Sequence, residues 1–492
     1  MKRLFLIALL LLAAVRGATG VVPAAAQENK IDLTLKEADG RYWGSFYRSV
    51  GYQLPEGATA YTMDETHQLN RLGTDGRTIP ANTAVVILSE KKSITLDYTT
   101  DTEGATIHGY NILQGSVDPV SLTDGKVGGG TPYVLGMVEE ELGLYKYTGS
   151  QIPAGKAYYV EGDVVYLSAL TEDYTAQDRQ TLVGKLARSV KISIAANAVV
   201  TLQDVDINGD GKFNGSFAGI TCLGKAVIKL KGTNKVKSFG DGYPGIQAAY
   251  SENAEEDVLT LYGSGELTAT GRERGAGIGG GSNAKCGSIL IVSGTISANG
   301  GYGAAGIGSG SSVPGWENYI HTNTGCGHIT INGGTITAKG GDGKNSDGNI
   351  FFSIGVGGNN RSNIYWYYSG GAGIGSGAVA TCGDITINGG TVSVDGTNAG
   401  IGSGGGGSYS NGLNVDPDKK YSYCGAINIK ESVTRVSAKT MMGINAIGRS
   451  TSDKSFCDRV KIGNTEYWYN GAYQNGGETY LTQKTLVYEP SH

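Results

Sequence analysis

The heptapeptide Gly-Ala-Gly-Ile-Gly-Ser-Gly at 371–377 returns almost unchanged at Gly275 to Gly281, and its core recurs at Ala305 to Gly310 and Ala399 to Gly404. Between copies stands a second block. It reads Cys-Gly-His-Ile-Thr-Ile-Asn-Gly-Gly-Thr-Ile-Thr-Ala from Cys326 and Cys-Gly-Asp-Ile-Thr-Ile-Asn-Gly-Gly-Thr-Val-Ser-Val from Cys382, with looser copies from Cys286 and Cys424. A unit this short has an apolar face that it buries only against its neighbours, so such repetition dictates a stacked array. In the unit from Cys326, Ile329 and Ile331 share one parity, then Ile336 and Ala338, then Ala372 and Ile374 of the following heptad. Period-two alternation marks strands, and it predicts three short strands per unit facing one interior. Gly-Gly pairs at 333–334, 340–341 and 389–390 stand where a ribbon must turn sharply, since corners call for positive φ.

Returns of the Gly-Ile element at Ile220, Ile246, Ile278, Ile307, Ile374, Ile401 and Ile444 predict about seven turns, opened by a coil at 190–217 that caps the stack. The expected fold is all-β: an N-terminal β-sandwich followed by a right-handed parallel β-helix, or solenoid. The boundaries read as a sandwich over 27–165, a linker or first strand over 166–189, β-helix repeats over 190–470, and a C-terminal cap or tail over 471–492. Within the sandwich, Ile79-Pro-Ala-Asn-Thr-Ala-Val-Val-Ile87 is echoed by Ile152-Pro-Ala-Gly-Lys-Ala-Tyr-Tyr-Val160, which suggests two similar hairpin units.

Lys2 and Arg3 precede an apolar stretch from Leu4 to Val15, and Ala24-Ala25-Ala26 follows. This is the pattern of a cleavable secretory signal over 1–26, too short to span a bilayer, and no later run reaches membrane-spanning length. Export to the periplasm, the cell surface or the medium is therefore expected. A formal net charge of −5 without a basic run argues against nucleic acid as a partner.

Six cysteines in an exported chain invite disulfides. Cys286, Cys326, Cys382 and Cys424, however, hold the same place in successive units, each followed by Gly. Equivalent positions in a stack form a ladder, so free, mostly buried thiols are expected. A metal site there is disfavoured, because single cysteines far apart in sequence, without nearby His partners, lack the paired spacing of zinc sites. Cys326 is out of parity with Ile329, which places it at a corner and leaves its direction open.

The run Ala218-Gly-Ile-Thr-Cys222, with Val227-Ile-Lys-Leu230, Gly232-Thr-Asn-Lys-Val236, Tyr243-Pro-Gly-Ile246, Gly263-Ser-Gly-Glu-Leu-Thr-Ala269 and the Gly-Ala-Gly-Ile-Gly heptads, resembles exported parallel β-helix surface proteins of Gram-negative gut and oral anaerobes. The Ile-Pro-Ala-Gly segment, with Tyr133-Val-Leu135 upstream, resembles a module often joined to them. The resemblance covers most of the mature chain. It implies a β-helix and carbohydrate binding or adhesion, without a defined activity.

Asp206-Ile-Asn-Gly-Asp-Gly-Lys-Phe-Asn214 resembles a calcium loop, with Asp206, Asn208 and Asp210 as oxygen ligands. Its twelfth position is Phe217 instead of a bidentate carboxylate and no helix pattern flanks it, so a corner built on Asx turns is favoured over Ca2+, the one cofactor in view. Parallel β-helices also host enzymes acting on acidic polysaccharides, which need clustered carboxylates, or calcium-binding Asp groups beside a basic residue. No coil carries an Asp-Asp pair, His328 becomes Asp384 in a later unit, and Arg272-Glu273-Arg274 falls at a corner. The Gly-rich runs are not phosphate loops, because no Lys-Ser or Lys-Thr follows them.

The insertions carry the functional expectation. Ser311 to Gly325 holds Trp316 and Tyr319, Asp342 to Gly370 holds Tyr365, Trp366 and Tyr367, and Gly405 to Tyr423 holds Tyr409 and Tyr421. Loops added to a repeat array are common binding surfaces, and aromatic rings suit the apolar faces of sugars. The competing expectation is that these rings pack on the outer sheet. The sequence thus points to a secreted or cell-surface, non-catalytic module whose partner is a polysaccharide or a host or matrix glycan. The alternatives are a structural spacer presenting a protein partner, and a lyase or hydrolase acting on acidic glycans.

Overall fold

The computed structural model describes residues 29–38, 40–64, 67–101, 105, 111–127, 130–138, 141–252, 257–312, 324–342, 365–367, 370–405, 407–409, 422–441, 445–450, 455–468 and 484–490. The segment read as a signal lies outside them. The chain divides into two units, 1–161 and 162–492.

In the first unit, strands Lys30–Thr34, Ser93–Tyr98, Tyr52–Gln53 and Thr78–Ile79 make one antiparallel sheet. Lys36–Ala38, Arg41–Phe46, Val85–Ser89, Ala58–Met63 and Leu69–Arg71 make another. Ile31, Phe46, Tyr52, Leu54, Ile79, Ile87 and Leu96 are buried together, so the two sheets share one core as a sandwich. A further antiparallel sheet follows, with Ala157–Glu161 between Gln114–Gly115 and Thr131–Val138. The sequence echo is a structural one. Thr78–Ile79 and Val85–Ser89 flank the first Pro-Ala turn as Gln151–Ile152 and Ala157–Glu161 flank the second. Asn82 and Gly155 hold the same place in these turns, and both take positive φ, 57° and 71°. Asn and Gly are the residues that tolerate this conformation best.

The second unit is a solenoid of parallel rungs. Leu259, Ile289, Ile329, Ile385, Ile427 and Val460 stand in register, as do Leu261, Ile291, Ile331, Ile387, Ile429 and Ile462. After the Gly-Gly corner, Leu267, Ile296, Ile336, Val392 and Val436 form a third ladder. All are buried in a single core. Each buried Ile contributes about 1.5–3 kcal/mol, which outweighs the roughly 0.5–1 kcal/mol that a Gly costs in a strand.

The Gly-Ile elements form the next face, with Ile220, Ile246, Ile278, Ile307, Ile374, Ile401 and Ile447 in register. The last rung corrects the reading of Ile444, which lies outside the described residues. Ile447 pairs with Ile401, and it is Ile447, not Ile444, that Gly follows, as Gly follows Ile278, Ile307, Ile374 and Ile401.

The cysteine segments are strands rather than corners. Lys285–Cys286, Gly325–Cys326, Thr381–Cys382, Ser422–Cys424 and Ser455–Cys457 stack as a separate five-stranded sheet, so coils from Lys285 onward carry four strands instead of three. All six cysteines are free and buried.

Parallel pairing begins earlier than the sequence suggested. Val164–Tyr166 pairs with Thr181–Lys185, which pairs with Val199–Ile207, so the segment 166–189 forms coil structure of the solenoid. At the other end Thr465–Trp468 runs antiparallel to Arg459–Ile462, and Thr485–Tyr488 antiparallel to Arg435–Thr440. This reversal covers strand edges that would otherwise offer unpaired backbone groups.

Polar side chains inside the stack tie one rung to the next. Ser309, Ser376 and Ser403 are buried, and their Oγ atoms accept from the backbone N–H of Gly377, Gly404 and Ser450 at 2.9, 2.9 and 3.1 Å. That bond explains the Ser of the heptad. Asn234, also buried, accepts from Val205 N and donates to Lys231 O and Glu266 O.

One rung carries local strain. Val379 adopts φ 52°, as Asn283 does at the equivalent place with φ 53°, and a β-branched residue is disfavoured in that conformation. Val379→Asn is expected to stabilise the protein by about 1 kcal/mol. Chemical denaturation followed by circular dichroism would show it, and an unchanged or lower midpoint would refute the strain.

Candidate functional site

The insertions after Asp342 and after Gly405 meet. Gly370 O accepts from Gly405 N at 2.9 Å and from the side-chain amide of buried Asn398 at 2.8 Å, which pins the bases of both insertions on neighbouring rungs. Beyond this anchor, Tyr365–Tyr367 pairs antiparallel with Gly407–Tyr409. Tyr365 stands opposite Tyr409, Trp366 opposite Ser408, and Tyr367 opposite Gly407. Four of the aromatic residues singled out in the sequence, Tyr365, Trp366, Tyr367 and Tyr409, are therefore brought into one two-stranded ribbon. Trp316, Tyr319 and Tyr421 lie outside the described residues.

The outer face of the third ladder shows a feature the sequence reading missed. Thr295, Thr335 and Thr391 are registered neighbours, and beside them stand Ser297, Thr337 and Ser393. They are exposed or half-buried, so two adjoining columns of hydroxyls repeat at the rung spacing of about 4.8 Å. The period-two pattern of Thr-Ile-Thr-Ala contained that signal.

At the calcium-like loop, Lys185 Nζ lies 3.0 Å from Asp206 Oδ2 and 3.3 Å from Asp210 Oδ2, and Lys212 Nζ lies 3.1 Å from Asp210 Oδ2. Two further side-chain oxygens of the loop serve the backbone. Asp206 Oδ1 accepts from Gly209 N, and Asn208 Oδ1 accepts from Phe213 N while its amide donates to Phe213 O and Ser238 O. Hydrogen bonding to Lys212, joined by Lys185, holds the Asp210 carboxyl below its ordinary range, at about 2. Phe217, where a calcium loop would place its bidentate ligand, packs against Phe239 in a tilted pair with ring centroids 4.6 Å apart. These are the contacts of an Asx-turned corner. Among the described residues no three His, Cys, Asp or Glu side chains converge as metal ligands.

The other charged features serve the scaffold. Arg272 donates to Asn214 Oδ1 at 2.7 Å and Phe239 O at 3.0 Å and pairs with Asp241 at 3.3 Å, joining successive coils at their corner. Ser288 Oγ accepts from His328 N, His328 Nδ1 from Asp384 N, and Asp384 Oδ1 from Ala426 N. Ser, His and Asp can exchange there because each supplies an acceptor to the next rung.

The family described as β-helix repeat matches residues 259–282 and 329–355. The first match covers Glu266–Thr270 and Ile278–Gly279, and the second covers Ile329–Ile331 and Thr335–Lys339. No curated protein and no solved structure matches the chain. The repeat matches and the in-register parallel rungs agree, and this chain is a parallel β-helix protein.

Proposed function

We propose that the chain is an exported, non-catalytic module that binds polysaccharide or surface glycans through the ribbon formed by its two paired insertions. The observation that carries this reading is the register that sets Tyr365 opposite Tyr409 and leaves Trp366 and Tyr367 beside them. Aromatic surface raised from a rigid array offers flat apolar contact to sugar rings, and its ordering cost is met in advance by the scaffold. The hydroxyl columns of the solenoid run along the stack and offer polar contacts to an extended polymer. Export rests on the N-terminal pattern of Lys2-Arg3, the apolar stretch and the Ala triplet.

The test is retention on a glycan array together with affinity electrophoresis in plant and host polysaccharides. Trp366→Ala and Tyr409→Ala are each expected to weaken retention about tenfold, with an unchanged strand signal by circular dichroism. Wild-type protein that retains no glycan ends the binding reading and leaves the spacer reading in its place.

A further inference from the structure

Cys286, Cys326, Cys382, Cys424 and Cys457 occupy successive rungs of one in-register parallel sheet, linked by four strand pairings. Parallel strands lie about 4.8 Å apart, so thiols in a common orientation repeat at that spacing. The hydrogen bonds of four of the five show a common orientation, while Cys286 Sγ, with no cysteine on the rung before it, donates to Gly308 O at 3.8 Å. Cys326 Sγ donates to Gly287 O at 3.6 Å, Cys382 to Gly327 O at 3.8 Å, Cys424 to Gly383 O at 3.9 Å and Cys457 to Gly425 O at 3.5 Å. In these four the acceptor is the glycine that follows the cysteine of the preceding rung. No disulfide joins them, and none is more than 9% exposed. The result is a straight, dry column of soft ligands that glycan binding does not use.

We propose that this column is a binding site for soft monovalent d10 cations, Cu(I) or Ag(I), held in linear sulfur–metal–sulfur links between adjacent rungs. Thiolates select soft cations of this class. A metal–thiolate bond is about 2.3 Å, so two in line span about 4.6 Å, close to the rung spacing. Zinc requires four ligands in a tetrahedron, and among the described residues no three candidate ligands converge on one point. A column therefore excludes zinc while suiting two-coordinate ions.

The charge also balances. Each cation replaces one thiol proton, R–SH + M+ giving R–S–M + H+, and a lone pair from the sulfur of the next rung completes the second bond. A sulfur cannot hold two metals in a straight line, so each sulfur serves one ion: two cations fill two non-adjacent gaps, release two protons, and leave one of the five thiols unused. The net charge of the core is unchanged, so loading buries no unpaired charge. Cys222 stands in a different sheet, in register after Ile194, and takes no part.

Native mass spectrometry of the reduced full chain, titrated with Ag(I) or with Cu(I) as its acetonitrile complex, counts the bound ions. Circular dichroism monitors the fold in parallel. Two ions per folded chain are expected, with none retained from Zn(II). Cys326→Ala isolates Cys286 and lowers the count to one. Cys424→Ala isolates Cys457 and also lowers it to one, which keeps the test open where the first variant fails to fold. Cys222→Ala leaves two. The proposal is overturned if the folded chain takes up no ion, if loading abolishes the strand signal, or if Cys326→Ala and Cys424→Ala bind as many ions as wild type.

Discussion

Gly375→Ala is expected to destroy the coils on either side of it, with a loss above about 4 kcal/mol. Gly375 has φ +134°, and a Cβ built on it would overlap the carbonyl oxygen of Gly402 on the next rung. Gly279, Gly308 and Gly402 repeat both features, with φ of +133°, +136° and +137° and the next rung's glycine carbonyl in the way. The obstacle is backbone, which cannot rotate aside as a side chain can. Backbone conformation alone would cost about 1–3 kcal/mol, and the steric overlap must then push two rungs apart and break the Gly377 N to Ser309 Oγ class of bonds. Gly184 is the control: its φ is +81° but nothing lies within 4 Å of an added Cβ. Gly184→Ala should cost only about 1–2 kcal/mol. Thermal melting of the two variants separates the effects, and equal losses would show that close stacking does not govern the Gly-Ile face.

Ile387→Asp is expected to be as damaging by a different route. Ile387 is fully buried between Ile331 and Ile429 in adjacent rungs. The substitution forfeits about 1.5–3 kcal/mol of burial and leaves a carboxylate without a partner, which costs several kcal/mol more. Because a solenoid is stabilised chiefly by nearest-neighbour interfaces, the damage should be local. Hydrogen exchange should accelerate in peptides spanning Ile329–Ile331 and Ile427–Ile429, while the sandwich core around Phe46 and Leu96 keeps its protection. Unchanged exchange in those rungs would mean that Ile387 does not face the interior.

Much of the solenoid was legible in the sequence because its forces are periodic. The Ile-Thr-Ile and Thr-Ile-Thr-Ala parities name the inward residues, and the structure buries Ile329, Ile331, Ile336 and Ala338 as expected. Departures occur where the period breaks. Ile444 follows a Gly as the other rungs' isoleucines do, yet from Ile278 onward it is the Gly after the Ile that meets the next rung, and that criterion selects Ile447. The cysteines are out of parity with Ile329, which points to corners in the sequence. The break between Gly325–Cys326 and Ile329–Ile331 resets the parity, and the cysteines are buried in the core. The first rungs, Val164–Tyr166 and Thr181–Lys185, resemble no later unit, so only their pairing reveals them. The paired insertions were the least legible feature. Tyr365–Tyr367 and Gly407–Tyr409 share no repeat signature, and what joins them is the anchor at Gly370, Asn398 and Gly405, made of buried backbone and amide groups.

Pulsed electron–electron resonance between nitroxides at Lys235→Cys and Ser393→Cys tests the stacking of rungs directly. Both positions are exposed, and they belong to one outward column, Lys235, Thr268, Ser297, Thr337 and Ser393, joined by four in-register pairings. The native thiols are buried, so labels go to the introduced ones. Four rungs predict a narrow distance distribution centred at about 19 Å. A broad distribution, or one centred beyond about 30 Å, would contradict the in-register solenoid.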